Sequence, residues 1–228
     1  SGAGAIPVGS NGKFMGIKIG SMHLEEDPAS WNPETGEVDY NRSGLPLVEI
    51  VTSPDFSTAE EVMEWLKKLV HALAYLKAAD SNAGIKIDTN VSIPGKTERI
   101  EIKNISSIEN IGKAIEYELE RQGKEGGKKK ETRRWDDAKG KTIVMRSKEE
   151  AEDYRFISDP DLKNIVMDDK FIKELEKTIP ESPEVKLDKL IKKHKIDKKN
   201  AEVLAKNIDI VEFFEKVAEK VNPADALH

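Results

Sequence analysis

The 228-residue sequence contains no cysteine, which excludes disulfide bonds and thiolate-ligated zinc sites within it. No apolar run approaches the roughly 20 residues that a membrane-spanning helix needs, and only 6% of the residues are aromatic. Residues 1–5 lack the basic start and the apolar centre of a signal or transit peptide. With these classes excluded, we expect a cytoplasmic protein that does not bind a membrane.

Charged side chains are abundant, at 35% of the chain, and the net charge is −6. An acidic balance argues against non-specific nucleic-acid binding. Residues 121–134 and 186–199 nevertheless each carry seven basic side chains against two acidic ones. Two interpretations stay open for these stretches: they contact a phosphate backbone at defined places, or they form solvated surfaces.

Hydrophobic periodicity predicts an α+β fold, in which a mixed or antiparallel sheet with packed helices precedes a small all-helical domain. Strands are expected at 14–27 (two short strands around Gly20), 45–52, 84–93, 99–103, 130–136 and 141–146. Helices are expected at 58–78 and 106–122, each after a capping box, and at 168–177, 184–194, 198–206 and 208–220. The expected domain limits are 1–12 (a disordered start, loop or cloning remnant), 13–165, 166–222, and 223–228 (a tail or tag).

Three carboxylates and a histidine lie within His23–Asp27, at the end of an alternating strand. Like charges this close need a proton, a cationic side chain or a metal ion to offset their repulsion, and carboxylate oxygens suit Mg²⁺ or Mn²⁺. The segment is therefore part of a divalent-metal site or an acidic strand end in solvent. Glu25 and Glu26 point to opposite faces of a straight strand, so both bind one metal only if the strand ends or bulges there.

A second polar cluster is predicted on a hairpin that turns at Pro94-Gly95. Alternation directs the apolar side chains of both strands to one face. The other face then displays two acids, an amide and a base: Asp88, Glu101, Asn90 and Lys103. Glu49, within the apolar run 45–52, is expected to face a cation, because burying an unpaired carboxylate costs several kcal/mol.

Four stretches carry a resemblance to a known family. They are His23–Asp27; Asp39–Ile50; Asp88–Ser92 with Glu101–Asn104; and Thr132–Trp135 with Arg146–Glu149 and Asp153–Leu162. Together they resemble the B subunit of the tRNA-dependent amidotransferases, the GatB/GatE family, over residues 13–222. The separate B subunit is the nearer of the two types, because this span shows no inserted aspartyl-tRNA-synthetase-like domain.

The resemblance implies a cradle-shaped catalytic domain at 13–165 and a helical domain at 166–222. It implies that ATP, with Mg²⁺, phosphorylates the side-chain carboxylate of Glu-tRNA(Gln) or Asp-tRNA(Asn). Ammonia from a glutaminase partner, the A subunit, would then displace the phosphate. A small C subunit and the tRNA are the other partners that the family implies.

The family motifs also assign roles to single residues. The implied metal ligands are Glu25 or Glu26 together with Glu101, and His23 is the implied outer-shell residue. The implied catalytic residues are Glu26, Asp88, Glu101 and Lys103. The implied nucleotide- or substrate-binding residues are Arg42, Asn90, Arg146, Lys148 and Arg155, and Asn41 and Asn104 are expected to orient substrate. For each Arg and Lys, a surface ion pair is the alternative.

The sequence shows no counterpart of the family's N-terminal part, which contributes to the metal site, or of its tail domain. Two functions therefore stay open: the enzyme subunit itself, or a non-catalytic tRNA-binding or assembly fragment of that complex. An unrelated carboxylate kinase would predict a G-x-x-x-x-G-K-[ST] loop, which the sequence lacks. The segment 186–199, with Lys192 and Lys193, is the expected contact to tRNA phosphates.

Overall fold

The computed structural model describes residues 6–27, 29–32, 35–80, 84–127, 129–147, 163 and 165–222. Its strands are β1 (Gly9–Phe14), β2 (Ile17–Glu26), β3 (Ser30–Trp31), β4 (Val38–Asp39), β5 (Pro46–Thr52), β6 (Ile87–Val91), β7 (Ile100–Ile105), β8 (Glu131–Asp136) and β9 (Lys141–Ser147). Its helices are α1 (Ala59–Tyr75), α2 (Ile108–Glu125), α3 (Asp169–Glu176), α4 (Pro183–Lys192), α5 (Lys198–Leu204) and α6 (Ile208–Ala218). This combination confirms the predicted α+β class. Among these described helices, none combines the length and apolar character needed to cross a bilayer.

The chain divides into two compact units, and the division falls within α1. The first unit comprises Ser1–Trp65 and Lys86–Lys163, and the second comprises Leu66–Ile85 and Asn164–His228. Residues 66–85 therefore belong to the same unit as the C-terminal helices. A single boundary along the chain cannot describe this division. The domain limits given above stay predictions.

Sheet A of the first unit has the antiparallel order β1-β2-β5, and β3 and β4 form the two-stranded sheet B. β2 is one strand rather than the two predicted around Gly20, because the pairing with β5 only shifts by one residue between Ile19 and Ser21 and then continues. Residues 9–12, expected to lie in a loop, pair with β2 as part of β1.

β5 forms as predicted, but its side chains are not buried within the described residues. Val48 is 48% exposed, and Leu24, its partner on β2, is 64% exposed. Among the described strands, β5 lies at the edge of a three-stranded sheet and pairs with β2. The apolar run correctly predicted a strand but wrongly predicted its burial.

Sheet C carries the larger core of the first unit. Its order is β6-β7-β8-β9, with a parallel β7–β8 pair and antiparallel pairs on either side. α2 connects the two parallel strands and packs its apolar face on the sheet. The buried side chains are Val91, Ile100, Ile102, Ile105, Ile111, Ala114, Ile115 and Trp135. The N-cap of α2 lies one residue later than predicted, since Ser107 rather than Ser106 accepts a hydrogen bond from the Asn110 N–H.

A buried ionic network joins α2 to β8 and β9. Glu118 is fully buried, and its carboxylate accepts hydrogen bonds from Arg121 Nη2 at 2.6 Å, Gln122 Nε2 at 3.0 Å and Thr142 Oγ1 at 2.9 Å. Arg133 Nε lies 3.7 Å from the same carboxylate and donates to Thr142 Oγ1 at 2.8 Å. The hydrogen bond and charge of Glu118 raise the pKa of Arg121 above its usual value. Because every polar partner is supplied internally, these charges are tolerated in the core.

The helical part of the second unit has its own small core and well-capped helices. α3–α6 confirm the four predicted helices to within a few residues. The buried side chains of their core are Leu190, Ile196, Ala201, Ala205, Val211 and Phe214. Ser182, Asp197 and Asn207 cap the N-termini of α4, α5 and α6.

We expect the cap at Asp197 to make the stability of this helical core depend on pH in the acidic range. Its carboxylate accepts a hydrogen bond from the Asn200 backbone N–H at 3.1 Å, and this bond lowers the pKa of Asp197. A lowered folded-state pKa means that the stabilisation is present above the ordinary Asp pKa and is lost as the pH falls through the folded-state value. The difference in Tm between the natural chain and Asp197→Ala should therefore shrink below about pH 4. Asp197→Asn is the matched control, because Asn caps a helix as well as Asp does but does not titrate; a pH-independent difference for Asp197→Ala would contradict the assignment.

Candidate active site

The strand pairing of sheet C brings the four predicted hairpin residues onto one face. Asn90 lies directly opposite Glu101 on the neighbouring strand. Lys103 Nζ donates a hydrogen bond to Asp88 Oδ2 at 2.8 Å and lies 3.3 Å from Glu101 Oε1. The structure thus confirms that Asp88, Asn90, Glu101 and Lys103 lie on one face of the hairpin. The chemical roles of these residues stay predictions.

Lys103 is held as a cation between two carboxylates. Partial burial alone would lower its pKa, but the hydrogen bond and charge of Asp88 and the charge of Glu101 outweigh burial, so the pKa of Lys103 lies above its ordinary value. A protonated amine binds anions and does not accept a proton at neutral pH. Together the three side chains carry a net charge of about −1, so the cluster attracts a further cation.

Two neighbours of this cluster come from β8, which pairs in parallel with β7. Thr132 is buried opposite Glu101, and its hydroxyl donates to Glu101 Oε2 at 3.4 Å. Arg134 pairs in register with Lys103 and is 44% exposed at its side chain. Sequence reasoning gave neither residue a role. The alternating pattern of β8 was visible, but no local signal shows that β8 lies beside β7.

A second polar cluster lies on one face of β2 and β5. His23 is directly opposite Glu49, and its Nε2 lies 3.2 Å from Ser21 Oγ. Glu25 lies two residues further along the same face and, like His23 and Glu49, is half-buried. Glu49 was expected to face a cation, and a histidine is the residue that the strand register places opposite it.

Glu25 and Glu26 do not share a face. The pairing of β2 with β5 runs without a shift from Met22 to Glu26, so successive side chains alternate, and Glu25 is half-buried whereas Glu26 is exposed. The pairing shows no bulge between them, and β2 ends at Glu26. The roles of Glu25 and Glu26 as metal ligands stay predictions.

The fit to a divalent metal is incomplete. In the described ranges, no three Asp, Glu or His side chains lie together as a metal-binding group. Glu101 is instead engaged by Lys103 and Thr132. The set Glu25, Glu26 and Glu101 is thus not assembled into one site by these residues, and we derive no chemical step through a metal ion.

Arg42 stabilises the turn that follows β4. Its guanidinium forms an ion pair with Asp27, whose side chain is 7% exposed. The backbone supports the same contact, since Asp27 N–H donates to Leu45 O at 2.8 Å and Gly44 N–H donates to Asp27 O at 2.9 Å. The ion-pair alternative given for Arg42 is thus present in the structure, and the pair joins the turn to the end of β2.

Comparison with known proteins identifies the family. The profile of the family described as "GatB/GatE catalytic domain" matches residues 1–173. The chain belongs to the GatB/GatE family. It is 44% identical over 224 residues to the B subunit of the aspartyl/glutamyl-tRNA(Asn/Gln) amidotransferase of Methanocaldococcus jannaschii, an alignment covering 95% of the chain and 48% of that relative.

Two further GatB/GatE relatives of the same name agree with this match. The proteins of Methanococcus maripaludis strain C5 and Methanothermobacter thermautotrophicus are each 40% identical, over 231 and 223 residues. These alignments cover 98% and 96% of the chain but 49% of each relative. The chain therefore spans about half the length of the curated relatives that it matches.

The remaining positions assigned by the GatB/GatE resemblance are only partly described. The backbone of Arg146 lies in β9 and pairs with Thr132. Lys148 and Arg155 lie outside the described residues. Asn41 and Asn104 are exposed, the former in the turn after β4 and the latter in β7.

Proposed function

We propose that this chain provides the carboxylate-activating part of the B subunit of a tRNA-dependent amidotransferase. An oxygen of the side-chain carboxylate of Glu-tRNA(Gln) or Asp-tRNA(Asn) attacks the γ-phosphorus of ATP, and ADP leaves. Ammonia then attacks the acyl carbon, inorganic phosphate leaves, and one proton is released from the nitrogen to give the amide. The observation that supports this proposal most is the Lys103 ammonium held between Asp88 and Glu101 within a GatB/GatE catalytic domain.

The cluster on sheet C has features that suit acyl-phosphate chemistry. Lys103 supplies a fixed positive charge for the oxygens that gain charge during phosphoryl transfer. Asp88 and Glu101 hold that ammonium on rigid strands, which limits the reorganisation needed during the reaction. Asn90, opposite Glu101, adds a neutral donor and acceptor for orienting the substrate.

Mg²⁺ belongs to this proposal as the usual companion of ATP. It would offset the repulsion between the triphosphate and the net negative cluster around Lys103. Because the described residues do not form a three-ligand group, its ligands stay unassigned and no role above depends on it.

The proposed partners follow from the same reaction. Ammonia has to be delivered to the acyl phosphate before water hydrolyses it, so we propose a glutaminase A subunit, with a small C subunit, as assembly partners. The aminoacylated tRNA is the substrate, and the helical segment 186–199 is its proposed contact.

The direct test measures ADP formation by this chain with ATP, Mg²⁺ and Glu-tRNA(Gln) or Asp-tRNA(Asn), with and without the glutaminase partner. Uncharged tRNA and free glutamate replace the substrate in the controls. ADP formation that requires the aminoacylated tRNA would support the proposal. ADP formation that is the same with uncharged tRNA would contradict it.

One further function, a non-catalytic tRNA-binding or assembly fragment, is favoured by two observations. The described residues lack a three-ligand metal group. Within the described residues, three lysines of 186–199 are exposed and form no ion pair: Lys193, Lys195 and Lys199. The other four lysines of the segment each pair with an acidic side chain: Lys186, Lys189, Lys192 and Lys198. Retained tRNA binding without ADP formation in the test above would establish this second function.

We expect the double variant Lys192→Ala/Lys193→Ala to bind tRNA more weakly and with a shallower salt dependence. Lys192 is already paired with Asp188 at 2.7 Å, so Lys193 should account for most of the change. Loss of one or two phosphate contacts lowers the slope of log K against log salt by about 1 to 2. The measurement is a salt series of binding titrations, with Lys170→Ala/Lys173→Ala on α3 as the charge-matched control. An unaltered slope for Lys192→Ala/Lys193→Ala would show that these two lysines do not contact tRNA phosphates.

A further inference from the structure

An irregularity in β7 interrupts the alternation of side chains directly after Lys103. Between two paired positions, β6 contributes one residue, Asp88, whereas β7 contributes two, Lys103 and Asn104. Ile102 and Ile105 are both fully buried although they lie three positions apart. In a regular strand, side chains three positions apart point to opposite faces. The extra residue therefore restores Ile105 to the core.

Asn104 is the residue that accommodates the extra position. Its φ of 67° lies in the left-handed region, which residues other than Gly rarely adopt and which Asn tolerates better than most. The chain on either side is anchored, by buried Ile102 and Ile105 and by Ser107, which caps α2. Because these anchors fix the register of β7 on both sides, the extra residue is accommodated by the backbone conformation of Asn104, which follows Lys103 directly.

We propose that Asn104 is a positioning residue that acts through Lys103. Its left-handed backbone holds the preceding strand so that the Lys103 ammonium lies between Asp88 and Glu101. This inference rests on the proposed function for its effect on catalysis, whereas its effect on the geometry of Lys103 is independent of that function. The required feature of Asn104 is its backbone conformation, so a glycine should replace it and a β-branched residue should not.

The test compares Asn104→Gly with Asn104→Val in the full chain, by crystal structures and by turnover with Glu-tRNA(Gln). Asn104→Gly should keep the 2.8 Å contact between Lys103 Nζ and Asp88 Oδ2 and retain a clearly higher kcat than Asn104→Val. Asn104→Val should lose that contact and lower kcat by about 10²-fold, the effect of a misplacement of roughly 1 Å. Asn104→Ala, which also disfavours a positive φ, replaces the valine variant if the latter does not fold.

Two controls separate positioning from general damage. Asn11 has a similar φ of 56° on β1, so Asn11→Val imposes the same strain on sheet A and should leave Lys103 and kcat unchanged. In a Lys103→Ala background, Asn104→Val should cause little further loss, since residues that act through one another are not additive.

Several results would overturn the proposal. Equal loss of kcat in Asn104→Gly and Asn104→Val would assign the effect to the Asn side chain, and an unmoved Lys103 in Asn104→Val would remove the positioning role. If the natural chain shows no turnover but Asn104→Val displaces Lys103 and Asn104→Gly does not, the proposed function fails while the positioning of Lys103 is supported.

Discussion

Glu101→Gln should lower the rate of ATP-dependent phosphorylation of Glu-tRNA(Gln) by about 10²-fold, because Lys103 loses one of the two carboxylates that hold its ammonium in place and a misplacement of roughly 1 Å has an effect of this size. The substitution keeps the size of the side chain and one acceptor oxygen for Thr132. It removes the negative charge that lies 3.3 Å from Lys103 Nζ. We therefore expect a loss of rate with little loss of stability, measured by single-turnover ADP formation and by thermal unfolding.

The matched control for this variant is Glu98→Gln. Glu98 is exposed in the connection between β6 and β7, so its substitution changes the net charge equally without altering the cluster. Its turnover should equal that of the natural chain. Normal turnover in Glu101→Gln would exclude Glu101 from the reaction and leave the cluster around Lys103 with a structural role.

Glu118→Ala should destabilise the first unit by about 1–3 kcal/mol, the usual cost of leaving buried donors without an acceptor, since Arg121 keeps Glu125 and Arg133 keeps Glu131 as ion-pair partners. Arg121 and Arg133 would lose their shared buried carboxylate, and Gln122 and Thr142 would lose an acceptor. Because α2 packs on the same sheet as the candidate site, activity should fall together with the folded fraction. Urea unfolding followed by circular dichroism measures the loss.

Glu120→Ala is the control on the same helix. Glu120 is exposed and forms an ion pair with Lys124 one turn away, a type of contact that contributes little. Its urea midpoint should stay close to that of the natural chain. Equal destabilisation by the two variants would mean that helix propensity, rather than the buried network, dominates the effect.

Local pattern predicted most of the secondary structure because the determinants are local. The alternation around Glu101 and Lys103 and the caps before α1 and α2 involve residues only two to four positions apart. Errors arose where pairing between distant strands decides the outcome. Gly20 is an example, since the sequence shows a strand breaker and the structure shows a shift in register within one strand.

The hairpin cluster could be predicted for the same reason, whereas its neighbours could not. A turn at Pro94-Gly95 and alternation on both sides suffice to place Asp88 near Lys103. Thr132 and Arg134 reach the cluster through a parallel pairing whose strands are separated by α2. A signal for Glu118 did exist, since it follows Ile111 and Ile115 at helical spacing on the apolar face of α2.

The sequence by itself determined the family, the α+β class, the helices and the polar face of the β6–β7 hairpin, because short-range periodicity and motif residues specify them. The tertiary structure decided which faces meet. It separated Glu25 from Glu26, placed Thr132 beside Glu101, buried Glu118 between two arginines and required a left-handed Asn104. Each of these depends on strand register and on packing between elements far apart in the chain, which no local pattern encodes.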